Sequence, residues 1–481
     1  MSGVPERQHY GMTLAVLAVG ALAFALLQTM VAPALPDIQR ELHASTSSVT
    51  WILTIYLLSA SVFTPILGRM GDMFGKERVL VAVLIVLGIG TLVAALSSSL
   101  GMLIAGRAIQ GAGGAVFPLA FGIIRDEFPP ERVGAGIGLI SATFGVGGGA
   151  GLVLAGVIVD HLHYTWIFWI ALVMIVAATV ATHFFVPESP VKTPARIDWV
   201  GAGGLGIGLS CLLLGVSEGN VWGWGSARVL GLLLAALLVL AAWVRFELRA
   251  PEPLVDMRML RLRGVWTTNL TSVMVGFGMF GAYLLLPQLV EMPPSAGFGF
   301  GASVTAAGLF LLPSAIVMLV AGPVSGTLGA RFGPRVPLLA GVSVAIVSFA
   351  MFAAAHDQRW EIYVASTLNG LGIGLSFAAM AALIVEAVPQ EQTGIATGMN
   401  TIMRTVGGAL GAQIAASVVS AHVRANGLPA ESGFTEAFTA SAIALVLALA
   451  AALLIPRRRL ETVVPHGQRR LGERATAPAG R

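Results

Sequence analysis

Two arginines lie inside otherwise apolar stretches, at a depth where a charge in a membrane helix is costly. Arg107 lies six or seven residues into its stretch, and Arg404 lies ten residues into another. An arginine at the centre of a membrane helix costs about 2.5–3.5 kcal/mol on insertion scales, so it usually faces a cavity or a partner. We therefore expect both arginines to line a polar passage; snorkelling or a helix–helix hydrogen bond is the alternative.

The acidic residues have the opposite distribution. All 24 Asp and Glu lie in loops, in the C-terminal tail or within a few residues of the end of an apolar stretch. A site for lipophilic cations would be expected to hold a carboxylate at depth, so the sequence favours neutral, zwitterionic or anionic amphiphiles as ligands. If protons accompany the ligand, the candidate acceptors are Asp37, Glu291 and Glu386. The alternative for each of them is an interfacial charge without such a role.

Neutral polar side chains in the same stretches are candidates for the wall of the passage. They are Gln28, Thr29, Tyr56, Gln110, Asn269, Tyr283, Asn369, Asn400 and Gln413. A hydrogen bond from such a group contributes about 1 kcal/mol, so most of the affinity would come from apolar contact. The aromatic candidates for that contact are Phe24, Phe117, Phe144, Phe277 and Phe280.

The elements that must position these residues are transmembrane helices. Hydrophobic residues make up 56% of the chain and charged residues 11%, against about 25% charged in soluble domains. A membrane helix needs about 20 apolar residues, and the segments of alternating hydrophobicity typical of a β-barrel are absent from the sequence. The prediction is an all-α polytopic protein with fourteen spans, at about 12–33, 49–68, 79–98, 101–123, 134–158, 165–186, 198–217, 228–246, 265–289, 303–328, 336–355, 361–385, 394–420 and 437–456.

The basic residues predict the orientation. With an even number of spans, 22 of the 28 Lys and Arg fall on the side that holds both termini. Basic loops stay in the cytoplasm, so we expect a multi-pass protein of the cell (inner or cytoplasmic) membrane with both termini cytoplasmic. Because these residues sit in short loops beside apolar helices, the pI near 9.6 is not a sign of nucleic-acid binding.

Several other functions are disfavoured by the sequence. The glycine clusters at 145–151 and 407–411 lie within spans, and no Walker sequence occurs, so ATP is not the direct energy source. His161 and His163 have no third metal ligand in their loop. A membrane enzyme or receptor would need a catalytic pair at depth or an appended soluble domain, and neither is present. We expect a protein that is not an enzyme, that is a monomer, and that binds no cofactor and no metal.

An internal repeat divides the chain. GRMGDMFGKER at 68–78 recurs as GTLGARFGPR at 326–335, 258 residues later, and three further motifs recur in the same order at offsets of 251 to 260. A membrane bundle built from two copies of one six-helix unit can alternate access to a central site between the copies. Spans 7 and 8 have no counterpart and form an inserted pair. The predicted regions are a cytoplasmic N-terminus (1–11), a first bundle (12–190), the inserted helices (191–250), a second bundle (251–456) and a disordered cytoplasmic tail (457–481).

Three motifs resemble those of a known family. Gly68-x-x-Gly71-Asp72-x-x-Gly75-Lys76 and Leu103-x-x-x-Arg107-x-x-Gln110-Gly111 are similar to signatures of the major facilitator superfamily, and Trp51-Ile52-Leu53-Thr54-x-Tyr56 is similar to an element of its fourteen-helix drug:proton antiporter branch. The resemblance spans residues 12 to 456. It implies proton-coupled export of drugs or natural products by alternating access.

The chain departs from that branch at three places. Leu27 replaces the usual first-helix Asp, and Gly151-Leu152-x-x-Ala155-Gly156 lacks the proline of the fifth-helix signature. Tyr164-Thr165-Trp166 replaces Trp-Arg-Trp. An importer, or a lipid or metabolite transporter of the same fold with altered or no proton coupling, therefore stays open as the alternative.

The resemblance also implies a conformational latch. In the family, the loop that matches Gly68, Gly71, Asp72, Gly75 and Lys76 holds the two halves together when the cavity opens outward. A carboxylate at this helix–loop junction can cap a helix start or pair with a neighbouring cation, and the glycines give the turn its freedom. The alternative is a solvated turn. The second copy has Ala330 in place of the acid, so we expect an asymmetric latch.

Overall fold

The computed structural model describes residues 10–193, 196–424 and 428–456, and these are mostly α-helical. Among them, fourteen helices are long and apolar enough to cross a membrane, which confirms the predicted fold class. We number them α1 Tyr10–Thr29, α2 Trp51–Phe74, α3 Lys76–Ala95, α4 Leu100–Glu127, α5 Pro130–His161, α6 Trp166–Phe185, α7 Trp199–Ser217, α8 Ala227–Glu247, α9 Arg263–Glu291, α10 Val304–Phe332, α11 Arg335–Ala354, α12 Arg359–Ala387, α13 Thr393–Ala421 and α14 Glu431–Leu453.

The surface of the bundle is apolar. Val173 and Trp199 are each 69% exposed and Leu237 is 66% exposed, on the outer faces of α6, α7 and α8. Hydrocarbon offers no hydrogen bonds to the backbone, so a segment in it must pair its own N–H and C=O groups, as a helix does. The fold thus follows from the same apolar stretches that define the spans.

The predicted first span is shorter in the structure. The sequence predicts a span over 12–33, but α1 ends at Thr29 and a separate helix, Val31–Glu41, follows. Pro33 has no N–H to donate to the carbonyl of Thr29, which accounts for the break. The α4 helix also changes to a 3-10 turn at Gly111–Ala115, in the middle of the fourth span.

The two halves share one packing scheme. In the first half, α1 packs on α5 and α6, while α3 packs on α4 and α6. In the second half, α9 packs on α13 and α14, while α11 packs on α12 and α14. These are equivalent pairs, as the sequence repeat predicts for two pseudo-symmetric six-helix bundles. The inserted helices α7 and α8 pack on each other, and α7 also contacts α2 and α13.

The halves meet along two equivalent seams, α2 against α13 and α5 against α10. The second seam is tight because it is lined by glycines. A Cβ at Gly138 or at Gly322 would overlap the carbonyl oxygen of the other residue. Small residues let membrane helices approach to backbone contact. The space between the seams is therefore enclosed by both halves.

Candidate functional site

A small cavity lies between the halves. Its volume is about 30 Å³, which is room for about one water molecule. The passage is therefore nearly closed in this conformation. The wall is formed by α1, α2, α4 and α5 of the first half and by α9 and α13 of the second; it consists of Phe24, Gln28, Tyr56, Leu57, Ala60, Ser61, Thr64, Gly114, Phe117, Phe144, Phe280, Thr401, Ile402, Arg404 and Thr405.

Arg404 is the charged residue of this wall. Its guanidinium carbon lies 4.4 Å from the ring centroid of Phe377 and 5.1 Å from that of Phe144. Phe144 belongs to the first half and Phe377 to the second, and their rings are 5.8 Å apart. A desolvated cation–π contact contributes up to about 2 kcal/mol. Arg404 has no ion pair with any described residue, so a ligand anion in the cavity would meet a cation held by rings and not by a carboxylate.

Arg107 lies elsewhere than expected. Its side chain is fully buried within the first half and is not part of the cavity wall. Nε donates to the carbonyl oxygen of Ile52 at 3.2 Å, and Nη1 donates to that of Leu27 at 3.2 Å and to Oε1 of Gln110 at 2.8 Å. The ring of Tyr56, 4.0 Å away, covers the guanidinium. Arg107 therefore ties α1, α2 and α4 together, which is the helix–helix alternative for this residue.

We expect Arg107→Ala to destabilise the protein. The change leaves buried acceptors unpaired and opens a cavity, which together should lower the free energy of unfolding by roughly 2–4 kcal/mol. Thermal unfolding of the purified protein, followed by size-exclusion chromatography, measures this. Arg228→Ala is the matched control, because Arg228 is exposed at the start of α8. Equal melting temperatures for the two variants would contradict the assignment.

Most other predicted wall residues also join helices. Gln110, which accepts from Arg107, also donates from Nε2 to Oγ1 of Thr91 at 3.0 Å and so extends the hydrogen-bond network from α4 to α3. Thr29 donates to the carbonyl oxygen of Gly147 at 2.8 Å, between α1 and α5. Of the predicted polar set, the structure brings Gln28, Tyr56 and Arg404 into the wall.

In the second half the same pattern holds. Asn400 donates from Nδ2 to Oδ1 of Asn269 at 2.9 Å and to Oγ of Ser272 at 2.7 Å, which joins α9 to α13. Asn369 is buried within α12. Tyr283 lies against Gly148 of the other half. None of these four predicted residues is in the cavity wall.

The three candidate proton acceptors lie away from the cavity. Asp37 forms an ion pair with Arg40, and the described partners of Arg107 do not include it. Glu291 is exposed at the last residue of α9. Glu386 is exposed near the end of α12, in a groove that also contains Arg263 and Arg335.

The predicted latch residues converge on one contact between the halves. The Asp72 carboxylate is fully buried and accepts hydrogen bonds from the backbone N–H groups of Gly394 at 3.0 Å and Ile395 at 3.1 Å. These groups form the first turn of α13, where the helix dipole favours a negative charge. A Cβ at Gly68 would lie 2.7 Å from the carbonyl oxygen of Gly394, so α2 and α13 touch here backbone to backbone.

The turn after α2 supplies the positive partner. Gly75 has φ +113°, a conformation that residues with a side chain rarely adopt, and it directs the chain into α3. Lys76 then lies with Nζ 3.6 Å from Oδ1 of Asp72 and 2.6 Å from Oδ2 of Asp126. Arg78, two residues further along α3, pairs instead with Glu188 at 3.1 Å.

Sequence analysis missed a second contact at the same end of the bundle. Arg125 donates from Nη1 to Oγ1 of Thr393 at 2.7 Å and to the carbonyl oxygen of Pro389 at 3.2 Å, and from Nη2 to that of Val388 at 2.7 Å. It therefore holds the end of α4 against the turn before α13. In the sequence, Arg125 counts only among the basic residues that predict the orientation, and nothing marks it as a contact between the halves.

The segment after α6 covers this contact and was also missed. Ser189 donates from Oγ to Oδ2 of Asp126 at 2.5 Å, and the N–H of Thr193 donates to the carbonyl oxygen of Asp72 at 2.9 Å. Asp126 thus links Lys76 to the chain that leads into the inserted helices. Two independent contacts, through Asp72 and through Arg125, close the same end of the α2–α13 seam.

The chain resembles known proteins over most of its length. A family model described as Major Facilitator Superfamily matches residues 17–412 and 292–479. The tetracenomycin C resistance and export protein of Streptomyces glaucescens is 32% identical over 388 residues, 80% of this chain and 71% of that protein. The uridine/deoxyuridine transporter of Lactococcus lactis subsp. cremoris is 30% identical over 387 residues, 76% of this chain and 80% of that protein. This chain spans 55% of the length of two further relatives.

A solved structure shares the fold. The crystal structure of the human organic anion transporter MFSD10 matches 93% of this chain and 100% of that chain, with a TM-score of 0.67 and 15% sequence identity.

Proposed function

Because this chain belongs to the major facilitator superfamily, we propose that it exports hydrophobic small molecules by alternating access, as a secondary active transporter. The observation that carries the proposal is the cavity whose wall is shared by two pseudo-symmetric halves. Halves that meet along two equivalent seams can rock about a central site. The Streptomyces relative is a resistance and export protein, which supports the direction of transport that we propose.

We propose that the protein is a monomer in the inner (cytoplasmic) membrane. In the orientation we propose, the basic loops and both termini lie in the cytoplasm. The contacts of Asp72 and Arg125 then close the cytoplasmic end of the α2–α13 seam. We propose that the five predicted latch residues hold this end shut while substrate leaves on the opposite side. Opening the contact would admit substrate from the cytoplasm or the inner leaflet.

The substrates we propose are neutral or anionic amphiphiles. Arg404 supplies a positive charge to a wall whose other described members are apolar or neutral. The aromatic side chains Phe24, Phe117, Phe144 and Phe280 would contribute apolar contact with the substrate. A lipophilic cation would lose hydration there and meet a like charge, which opposes its binding.

Protons are the proposed coupling ion, with Asp37, Glu291 and Glu386 as the candidate acceptors. Glu291 and Glu386 lie at or near the ends of α9 and α12, and Asp37 lies in the short helix Val31–Glu41 that follows α1, so none of the three is in the interior of a span. If one of them carries the proton, the triple variant Asp37→Asn, Glu291→Gln, Glu386→Gln should lose proton-driven transport. A proton flux that survives this triple change would remove all three from consideration.

Import is the second candidate function. The uridine/deoxyuridine transporter of Lactococcus lactis, whose name indicates a metabolite substrate, shares 30% identity with this chain. A transporter of this fold can run in either direction, according to which ion gradient and which substrate it couples. Under this alternative the same cavity would bind a small metabolite, with altered or no proton coupling.

Growth and accumulation in a pump-deficient host test the proposed direction. We expect the gene to raise resistance several-fold to some members of a panel of antibiotics and dyes, and to lower their accumulation in cells. A protonophore should restore accumulation if protons drive export. The empty vector is the control. Higher accumulation with the gene than without it would instead establish import.

A further inference from the structure

An arginine-lined groove lies at the end of the inserted helix pair, outside the transport cavity. Its volume is about 810 Å³, and Arg196, Arg245 and Arg249 line it together with the apolar side chains of Ile197 and Phe246. Arg245 lies in the last turn of α8, Arg249 follows one turn later, and Arg196 precedes α7. We propose that this groove binds the headgroup of an anionic phospholipid of the surrounding bilayer.

Three arginines and two carboxylates give the groove a net charge of +1, and its carboxylates are held by the backbone and not by the arginines. Asp198 and Glu252 also line it, but both carboxylates accept hydrogen bonds from the backbone. Asp198 caps α7 through the N–H of Gly201 at 2.7 Å, and Glu252 accepts from the N–H of Arg196 at 2.7 Å. None of the three arginines forms an ion pair with another described residue. A phosphate diester would supply the acceptor oxygens that these guanidiniums lack.

The groove lies at the level where a headgroup would be. Trp199, 69% exposed, begins α7 beside the groove, and exposed tryptophans concentrate at the boundary between lipid and water. The α8 helix also ends beside the groove, at Glu247. Basic clusters at such a boundary attract anionic lipids electrostatically.

The adjoining face of α8 fits an acyl chain. Leu230, Leu234, Leu237 and Leu238 are 54–66% exposed and recur at helical spacing on one side of α8. That stripe continues at the same spacing to Arg245. At 1.5 Å per residue, Leu234 lies about 16 Å from Arg245 along the axis, close to the depth of one leaflet of a hydrocarbon core about 30 Å thick. One lipid can therefore place its tail on the stripe and its phosphate in the groove.

Native mass spectrometry of the delipidated full-length protein tests the proposal. The probes are phosphatidylglycerol and phosphatidylcholine with identical acyl chains. We expect about a tenfold preference for phosphatidylglycerol in the wild type. One basic residue near the membrane surface attracts anionic lipid by about fivefold, and several act together in this groove. The preference should disappear in the variant Arg196→Gln, Arg245→Gln, Arg249→Gln and persist in the variant with lysine at the same three positions.

The matched control removes three exposed arginines elsewhere, in the variant Arg258→Gln, Arg261→Gln, Arg331→Gln. It should keep the wild-type preference. Equal binding of both lipids by the wild type would overturn the proposal, and so would an equal loss of preference in the control. If the groove triple variant does not fold, the single changes Arg245→Gln and Arg249→Gln decide: each should lose part of the preference, and no loss in either contradicts the site. The outcome does not depend on what the protein transports.

Discussion

Replacing Asp72 by asparagine should lower the rate of transport at least about tenfold, although Asp72 lies well away from the cavity. Its carboxylate accepts from two N–H groups of the first turn of α13 and faces Lys76. Asparagine is of similar size but carries no charge and has one acceptor oxygen. A hydrogen bond to a charged group contributes about 1.5–3 kcal/mol, so losing one should shift the equilibrium between closed and open states by roughly 10- to 100-fold.

The loss should be large because the position that corresponds to Asp72 in the other seam lacks an acid; the acid of that seam, Asp160, accepts from Thr305 at 2.5 Å at the opposite end. Ala330 occupies the corresponding position of the second copy, and the α5–α10 seam is held by apposed glycines such as Gly138 and Gly322. Closure at the α2–α13 seam therefore depends on Asp72 and on the neighbouring contact of Arg125. Because alanine at position 330 has no carboxylate to cap a helix, the latch that we propose is one-sided.

Spin labels can measure the state of the seam directly. The sequence has one cysteine, so Cys211→Ser gives a background without cysteine, and labels at Phe74→Cys and Glu391→Cys flank the latch on exposed sites of α2 and of the turn before α13. We expect longer distances between the labels in Asp72→Asn than in the parent. Glu131→Gln, an exposed acid in the first turn of α5, is the matched control. Unchanged distances with unchanged transport would show that Asp72 is not a latch.

The fold could be predicted from the sequence because lipid leaves the backbone few choices. A stretch of about 20 apolar residues in hydrocarbon becomes a helix whatever its neighbours are, and a repeat of motifs imposes a repeat of packing. The predictions that failed were local ones. The end of α1 at Thr29 depends on one missing N–H at Pro33, within a stretch whose hydropathy gives no sign of a break.

The site was harder to predict than the fold, and the two interior arginines show why. In the sequence, an arginine deep inside an apolar stretch looks the same whether it faces a cavity or joins helices. Arg107 finds its acceptors on α1 and α2, at Leu27 and Ile52, and Arg404 finds aromatic rings on α5 and α12. Which of these surroundings applies depends on how distant helices pack. Arg125 was missed for the same reason, since two of its partners are backbone carbonyls that leave no trace in the sequence.

Replacing Arg404 by glutamine should lower export of an anionic aromatic compound at least about tenfold. The proposed substrate anion would lose its charged partner, and a hydrogen bond to a charged group is stronger than a neutral one by about 1 kcal/mol or more. Export of a neutral compound of similar size should change by less than about twofold, because its apolar contacts with Phe117 and Phe280 remain. Initial rates in cells loaded with each compound measure both effects.

Two further variants separate charge from fit. Arg404→Lys keeps the charge but gives up the planar contact with the rings of Phe144 and Phe377, so it should restore part of the anion transport. Arg228→Gln, which removes an exposed arginine outside the cavity, should change nothing. A wild-type protein that exports a quaternary ammonium dye better than the anionic compound would reject the assignment. Equal losses of neutral and anionic transport in Arg404→Gln would reject it as well, since they would indicate that Arg404 holds the halves together through Phe144 and does not select the substrate by charge.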